Sequence, residues 1–211
     1  MAPTHSYEPR RGHRLAHDPL NSIIAPRPIG WISTIGPDGT RNIAPYSFFN
    51  LFNYKPPIIG FTSTGWKDTV ANIEESGEFV WNLATVPLLK VMNETSAEVP
   101  SDVDEFALGG LTPEPSTLVA PPRVAESPVS FECRVTKLFR HTNATGQAVD
   151  AWMVLGEAVM VHLDETLIVD GVYDTVVANP LTRGGGPVDY FWIDEEHKLK
   201  MRRPDKSHDD I

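Results

Sequence analysis

The chain has 211 residues, 41% of them hydrophobic and 22% charged, with a formal net charge of −10. That balance describes one folded domain with tails, and no apolar run approaches the roughly 20 residues that a membrane-spanning helix requires. Eleven acids against only Lys90 and Arg123 between positions 71 and 132 read as a solvated acidic face, which repels phosphate backbones and argues against nucleic acid as a partner.

Residues 1–20 are polar, carry Arg10, Arg11 and Arg14, and have no apolar h-region. They are expected to form an N-terminal arm, flexible or exchanged with a partner copy, rather than a secretory signal, and the chain is expected to be soluble and cytoplasmic. The main domain is placed at residues 21–192. Its first strong signal is a pair of β-rich runs at 30–35 and 42–49, joined by Pro37-Asp38-Gly39, where Asp-Gly supplies the positive φ of a hairpin turn. Residues 57–63 read as a short buried strand. At 67–76 the apolar period changes to that of a helix, with Asp68 as its candidate N-cap and Gly77 closing it.

Residues 79–83 return to strand, and 87–96 read as helix with Leu88, Leu89 and Met92 on the apolar side. The segment 101–127 is acidic and rich in Gly and Pro, so it is expected to be an irregular surface excursion. Strands are predicted at 129–138, 148–155 and 157–163, with a turn at 141–146 and a short helix at 173–178. Alternation around Cys133, the single cysteine, makes it a core residue of a half-buried strand and excludes an internal disulfide. The histidines show no metal-ligand spacing, so no metal site is expected. Residues 193–211 read as a charged tail. Short strands separated by turns, with brief helices, favour an antiparallel barrel or sandwich.

Several blocks occur in a specific order: Arg27-Pro-Ile-Gly-Trp-Ile-Ser-Thr34, Asn42-Ile-Ala-Pro-Tyr-Ser-Phe-Phe-Asn50, Pro56-Pro-Ile-Ile-Gly-Phe61 and Trp66-Lys-Asp-Thr-Val-Ala-Asn-Ile73. Asp102-Val-Asp-Glu-Phe106, Pro121-Pro-Arg-Val-Ala-Glu-Ser-Pro128 and the glycines 184–186 before Tyr190 follow. Over about residues 20–192 the chain resembles the flavin reductase-like family. The resemblance implies a mainly β, antiparallel split barrel that binds FMN in preference to FAD, commonly at a homodimer interface.

Residue chemistry is compatible with that assignment. Lys67, Asp68 and Thr69 at a helix N-terminus make an anion site suited to a phosphate, and an ordinary capped helix with a surface lysine is the plain alternative. Ser63 and Thr64 precede that helix and offer backbone contacts. Ser33, Thr34, Ser47 and Asn50 are polar positions in apolar strand text that together can line a flavin ring and its polyol chain. Phe48 and Trp66 are candidate ring neighbours, although aromatics in strands more often serve the core. By resemblance Arg27 lies near the cofactor, with a surface salt bridge as the alternative. Arg183, Gly185 and Tyr190 mark a segment where backbone can approach a ligand closely, or a plain surface turn.

The resemblance further implies an NAD(P)H:flavin oxidoreductase, with hydride passing to flavin N5, which serves a partner monooxygenase in some settings. A flavoprotein that keeps FMN and acts on another small molecule, or a non-enzymatic flavin-binding protein, are the alternatives. No catalytic residue is assigned. Short flavin reductases carry Gly-Asp-His ahead of a Gly-Glu-Val strand, with the histidine near the nicotinamide. Counting back from Gly156-Glu157-Ala158, the corresponding residues here are Val149, Asp150 and Ala151, so only the aspartate is kept. Flavin binding is therefore better supported by the sequence than NAD(P)H oxidation.

Overall fold

A computed structural model describes residues 2–186 and 188–202. The chain opens with an exposed arm that ends in a single helical turn, Leu20–Ile23 (α1), and a two-residue strand, Arg27–Pro28 (β1). Gly30–Ile35 (β2), Arg41–Tyr46 (β3), Phe49–Tyr54 (β4) and Pro57–Thr64 (β5) follow, then the helix Asp68–Ser76 (α2) and Glu78–Asn82 (β6). Leu89–Glu94 (α3), Glu105–Gly109 (α4) and the two-residue strands Pro113–Glu114 (β7) and Arg123–Val124 (β8) lead to the long strands Val129–Thr142 (β9) and Ala148–Leu163 (β10). The described chain closes with Ile168–Val169 (β11), Val172–Tyr173 (β12), Thr175–Ala178 (α5), Leu181–Arg183 (β13) and Tyr190–Trp192 (β14).

The main sheet is antiparallel throughout, in the order β3-β2-β6-β9-β10-β5-β4. Its end strands, β3 and β4, pair with β2 and β5 and not with each other. This is the split barrel. Side chains alternate across each strand, so neighbouring residues enter different cores. Ile32 points inward with Phe61, Phe79, Cys133 and Val154, whereas Trp31 points outward to Met92 of α3 and Phe106 of α4. Trp31, Ile32, Phe61, Phe79 and Phe106 are fully buried, which stabilises each by roughly 2–3 kcal/mol against exposure. Burial pushes the Cys133 thiol up, out of reach of nucleophilic chemistry.

Several expectations need correction. Asp68 is not the N-cap of α2: Lys67 holds that place in extended conformation, without a side-chain cap bond. Gly77 does end the helix, in the left-handed region at φ 69°. The strands expected at 148–155 and 157–163 are one strand, β10. Gly156 does not end it: the pairing with β9 shifts register there, and the Phe79 ring occupies the space that a side chain would need.

The 101–127 excursion is not confined to the surface either. Phe106, Leu111 and Val124 belong to the outer core. The acidic face is partly an interior: Glu132 on β9 is fully buried and accepts bonds from the N–H groups of Thr117 (2.7 Å) and Leu118 (2.6 Å). His162 Nε2 lies 2.6 Å from the same carboxylate. These bonds hold the strap 115–122 against the barrel wall, and together with His162 they outweigh burial and keep Glu132 below the ordinary glutamate range. The tail residues 203–211 lie outside the described residues. No helix among the described residues is long and apolar enough to cross a membrane.

Candidate functional site

At the N-terminus of α2 lies a hollow of about 280 Å³, walled by β3 (Asn42, Pro45, Tyr46), the Trp66–Thr69 corner, residues 95–99 and Glu105. A second hollow of about 250 Å³ shares Pro45 and Ser96 with it and runs on to Ser47, Asn93, Arg183 and Tyr190. Together they form a cleft with a helix terminus at one end and an arginine at the other. A larger hollow of about 580 Å³ lies elsewhere, among β12, α5 and residues 192–198, walled mostly by apolar side chains. It borders only the start of the single-turn helix α5, whose free N–H groups the Asp174 side chain already caps.

The α2 end carries donors for an anion, and the Asp68, Glu98 and Glu105 carboxylates share its wall. The leading N–H groups of a helix have no partner inside it, and they carry the positive end of its dipole. Lys67 stands there half-exposed, with its ammonium 3.8 Å from the Glu98 carboxylate. Tyr46 is 8% exposed, and its hydroxyl lies beside the Thr69 and Ser63 hydroxyls, close enough to feel both but without a well-formed hydrogen bond to either. Burial pushes that phenol up to about 12, offset in part by those two hydroxyls, so it remains a donor. The helix N–H groups and Lys67 are compatible with a phosphate, which the neighbouring carboxylates oppose.

Among the residues expected to form the site, the structure gathers Trp66, Lys67, Asp68 and Thr69 in the first hollow and Ser47, Arg183 and Tyr190 in the second. The side chains of Ser33 and Thr34 do not reach the cleft. Both are fully buried on β2: Ser33 donates to the Pro122 carbonyl (2.6 Å), and Thr34 donates to Asn42 Oδ1 (3.2 Å). Ser63 is buried at the end of β5 and donates to the Gly65 carbonyl (2.9 Å), while Thr64 is exposed beside it. Phe48 is 48% exposed under the Arg27 guanidinium, and Asn50 faces solvent on the edge strand β4. Trp66 packs edge-on against Trp152, with ring centroids 4.5 Å apart.

Arg27 is not in a surface salt bridge. It is buried, and it donates to the carbonyls of Asn21 (2.5 Å), Ile24 (2.7 Å) and Gly184 (3.3 Å). Burial first, and then the Arg183 charge, lower its pKa. Gly185 serves close packing: Ser22 of α1 fills the place of its missing side chain. Arg183 donates to the Asp189 carbonyl (2.9 Å) and lies over the Tyr190 ring.

Sequence reasoning missed Tyr46, Asn42 and Glu105. Tyr46 and Asn42 lie inside a quoted block, but nothing local tells which of its polar groups lacks a partner. Glu105 was read with the solvated acids.

The family described as flavin reductase like domain matches residues 23–176. An uncharacterised protein from Aquifex aeolicus is 40% identical over 187 residues, covering 85% of this chain and 90% of that protein. Nitrilotriacetate monooxygenase component B from Bacillus cereus superposes with a TM-score of 0.84 at 28% identity, covering 94% of this chain and all of the other. The 2-nitrobenzoate 2-nitroreductase of Pseudomonas fluorescens gives 0.76 at 26% identity, with 89% of each chain covered. On the extent of these matches the chain belongs to the flavin reductase-like family of flavin-binding oxidoreductases.

Proposed function

We propose that the protein binds FMN in the cleft between α2 and Arg183 and works as an NAD(P)H:flavin oxidoreductase. The observation that carries this reading is the α2 end of the cleft, where Lys67 and a helix terminus line one hollow with Tyr46. A terminal phosphate monoester fits a single such end, which favours FMN over FAD. When bound, FMN accepts a hydride at its N5. The α2 N–H groups and Lys67 hold the phosphate, and Tyr46 donates a further bond to it. Ser47, Arg183 and Tyr190 supply polar contacts at the other end, and Trp66 stands at the mouth beside the helix corner.

The protein's task is orientation, keeping one ring face open to the nicotinamide. No acid–base pair is required. A homodimer suits the exposed edge strand β4, where a second copy would cover Phe48 and Asn50 and bring them to the site. The name of the Bacillus cereus protein, a monooxygenase component, supports a partner monooxygenase as the consumer of reduced flavin. Titration of the purified protein with FMN, FAD and riboflavin tests the reading: FMN should bind most tightly. Absence of binding by every flavin at tens of micromolar would refute it.

A further inference from the structure

The cleft holds a buried acid that the flavin reading does not use. Glu105, the first residue of α4, is 7% exposed and lies on the cleft wall with Asp68 and Asn42. Its carboxylate accepts two bonds of 2.6 Å, from the Ile43 N–H and from Asn42 Nδ2. Asn42 in turn accepts, at Oδ1, from the hydroxyls of Thr69 (2.7 Å) and Thr34 (3.2 Å). Because its NH₂ end is committed to a carboxylate, the Asn42 amide has one orientation. The Thr69 proton is therefore turned toward Asn42, and Thr69 offers the cleft lone pairs only. A carboxylate two hydrogen bonds away from Thr69 thus sets the polarity of a hydroxyl in that helix terminus.

The charged groups around Glu105 come from several elements. Asp104 precedes it and is paired with Arg41 of β3. Asp68 opens α2, and across the hollow stand Lys67, Glu98 and the Tyr46 phenol. No histidine lines either hollow that Glu105 borders. Burial pushes the Glu105 carboxyl up to about 7; the Ile43 N–H bond opposes this, and the Asp68 and Asp104 charges add to it. The two short bonds favour the ionised form, yet desolvation beside two other carboxylates prevails.

We propose that Glu105 is a positioning residue of the anion end of the cleft: ionised, it opposes a bound phosphate and keeps Thr69 from donating to it, and protonated, it does neither. The proposal rests on the flavin reading above and adds a regulation to it. A neutral Glu105 can donate to Asn42, which allows the amide to turn and frees the Thr69 proton for the cleft. The site then grips a phosphate more tightly below neutrality than above it. This runs against the titration of the phosphate itself, whose second pKa near 6 makes it more anionic as pH rises. The opposite signs make the contribution of Glu105 separable.

Calorimetric titrations of the purified protein with FMN and with riboflavin across about pH 6.5–8.5 test this, since riboflavin lacks the phosphate. The FMN-to-riboflavin affinity ratio should fall about three- to tenfold over that range, as expected for one unit charge at moderate separation in a partly solvated cleft. Glu105→Gln keeps the shape, removes the charge and permits the turned amide. Its ratio should rise slightly with pH, as the phosphate alone dictates, and exceed that of the wild type at the upper end. A wild-type ratio that is flat or rises with pH, or a Glu105→Gln profile that follows the wild type, overturns the proposal. If Glu105→Gln does not fold, the wild-type profile decides alone. A protein that binds neither flavin refutes the flavin reading itself, and the same titration with inorganic phosphate then decides the case of Glu105.

Discussion

Replacing Lys67 by alanine separates phosphate recognition from folding. A hydrogen bond to a charged group contributes about 1.5–3 kcal/mol, and an exposed ion pair about 0–1 kcal/mol. Lys67 stands between these limits, because its side chain is 50% exposed and the Glu98 carboxylate, 3.8 Å away, already competes for the ammonium. A loss of about 1–2 kcal/mol is therefore expected, which is about a 5- to 30-fold weaker affinity for FMN. The helix itself should not suffer, since Lys67 caps α2 through its extended backbone and makes no side-chain cap bond. Fluorescence quenching titrations with FMN and riboflavin, alongside a thermal melt, provide the assay. Riboflavin affinity and melting temperature should barely move. Equal losses for FMN and riboflavin would show that Lys67 acts through the fold, and an unchanged FMN affinity would place the phosphate elsewhere in the cleft.

Gly156→Ala should destabilise the barrel by about 1–3 kcal/mol in urea denaturation, because a Cβ there would meet the Phe79 ring, with Cζ at 2.6 Å; an unchanged midpoint would mean that the ring can retreat. Ala151 is half-exposed, opposite Thr64 at the β5 end beside the α2 corner, so a histidine has room there. If that position orients the nicotinamide, Ala151→His should raise flavin reduction at subsaturating NADH in stopped flow while FMN affinity holds, and a stability loss without a rate gain would sink the idea. Light scattering on FMN-saturated protein should give twice the 23.4 kDa chain mass, because Leu51, Phe52 and Tyr54 of β4 are at least half exposed; a monomer would contradict the dimer.

The position of Glu105 carries a consequence for stability. Its pKa is raised from the ordinary 4.5 to about 7, so the folded state binds more protons than the unfolded one between those values. Its stabilising contribution is present below the unfolded value and is lost as pH rises through about 7. A bound phosphate adds negative charge to the same wall and should shift that loss further upward in pH.

The amino-acid sequence by itself determined the local elements whose signals are local. Asp-Gly at 38–39 made the hairpin turn, Gly77 ended α2, and alternation around Cys133 made it a core residue of its strand. The ordered blocks carried the family, and with it the split barrel. The tertiary structure alone decided which polar groups face the cleft. Ser33 and Tyr46 are both polar groups in strand text, yet Ser33 meets the Pro122 carbonyl from far along the chain while the Tyr46 hydroxyl lies beside Thr69 and Ser63 on the cleft wall. Glu105 and Glu132 were indistinguishable from solvated acids in composition, because burial depends on what the rest of the chain stacks against a residue. Gly185 read as a ligand contact or a plain surface turn and Gly156 lay between two expected strands, but a distant side chain, Ser22 or Phe79, occupies the space beside each. Backbone propensity and side-chain period act over a few residues and can be read along the chain. Hydrogen-bond satisfaction and desolvation depend on partners far away in sequence, and only the assembled barrel supplies them.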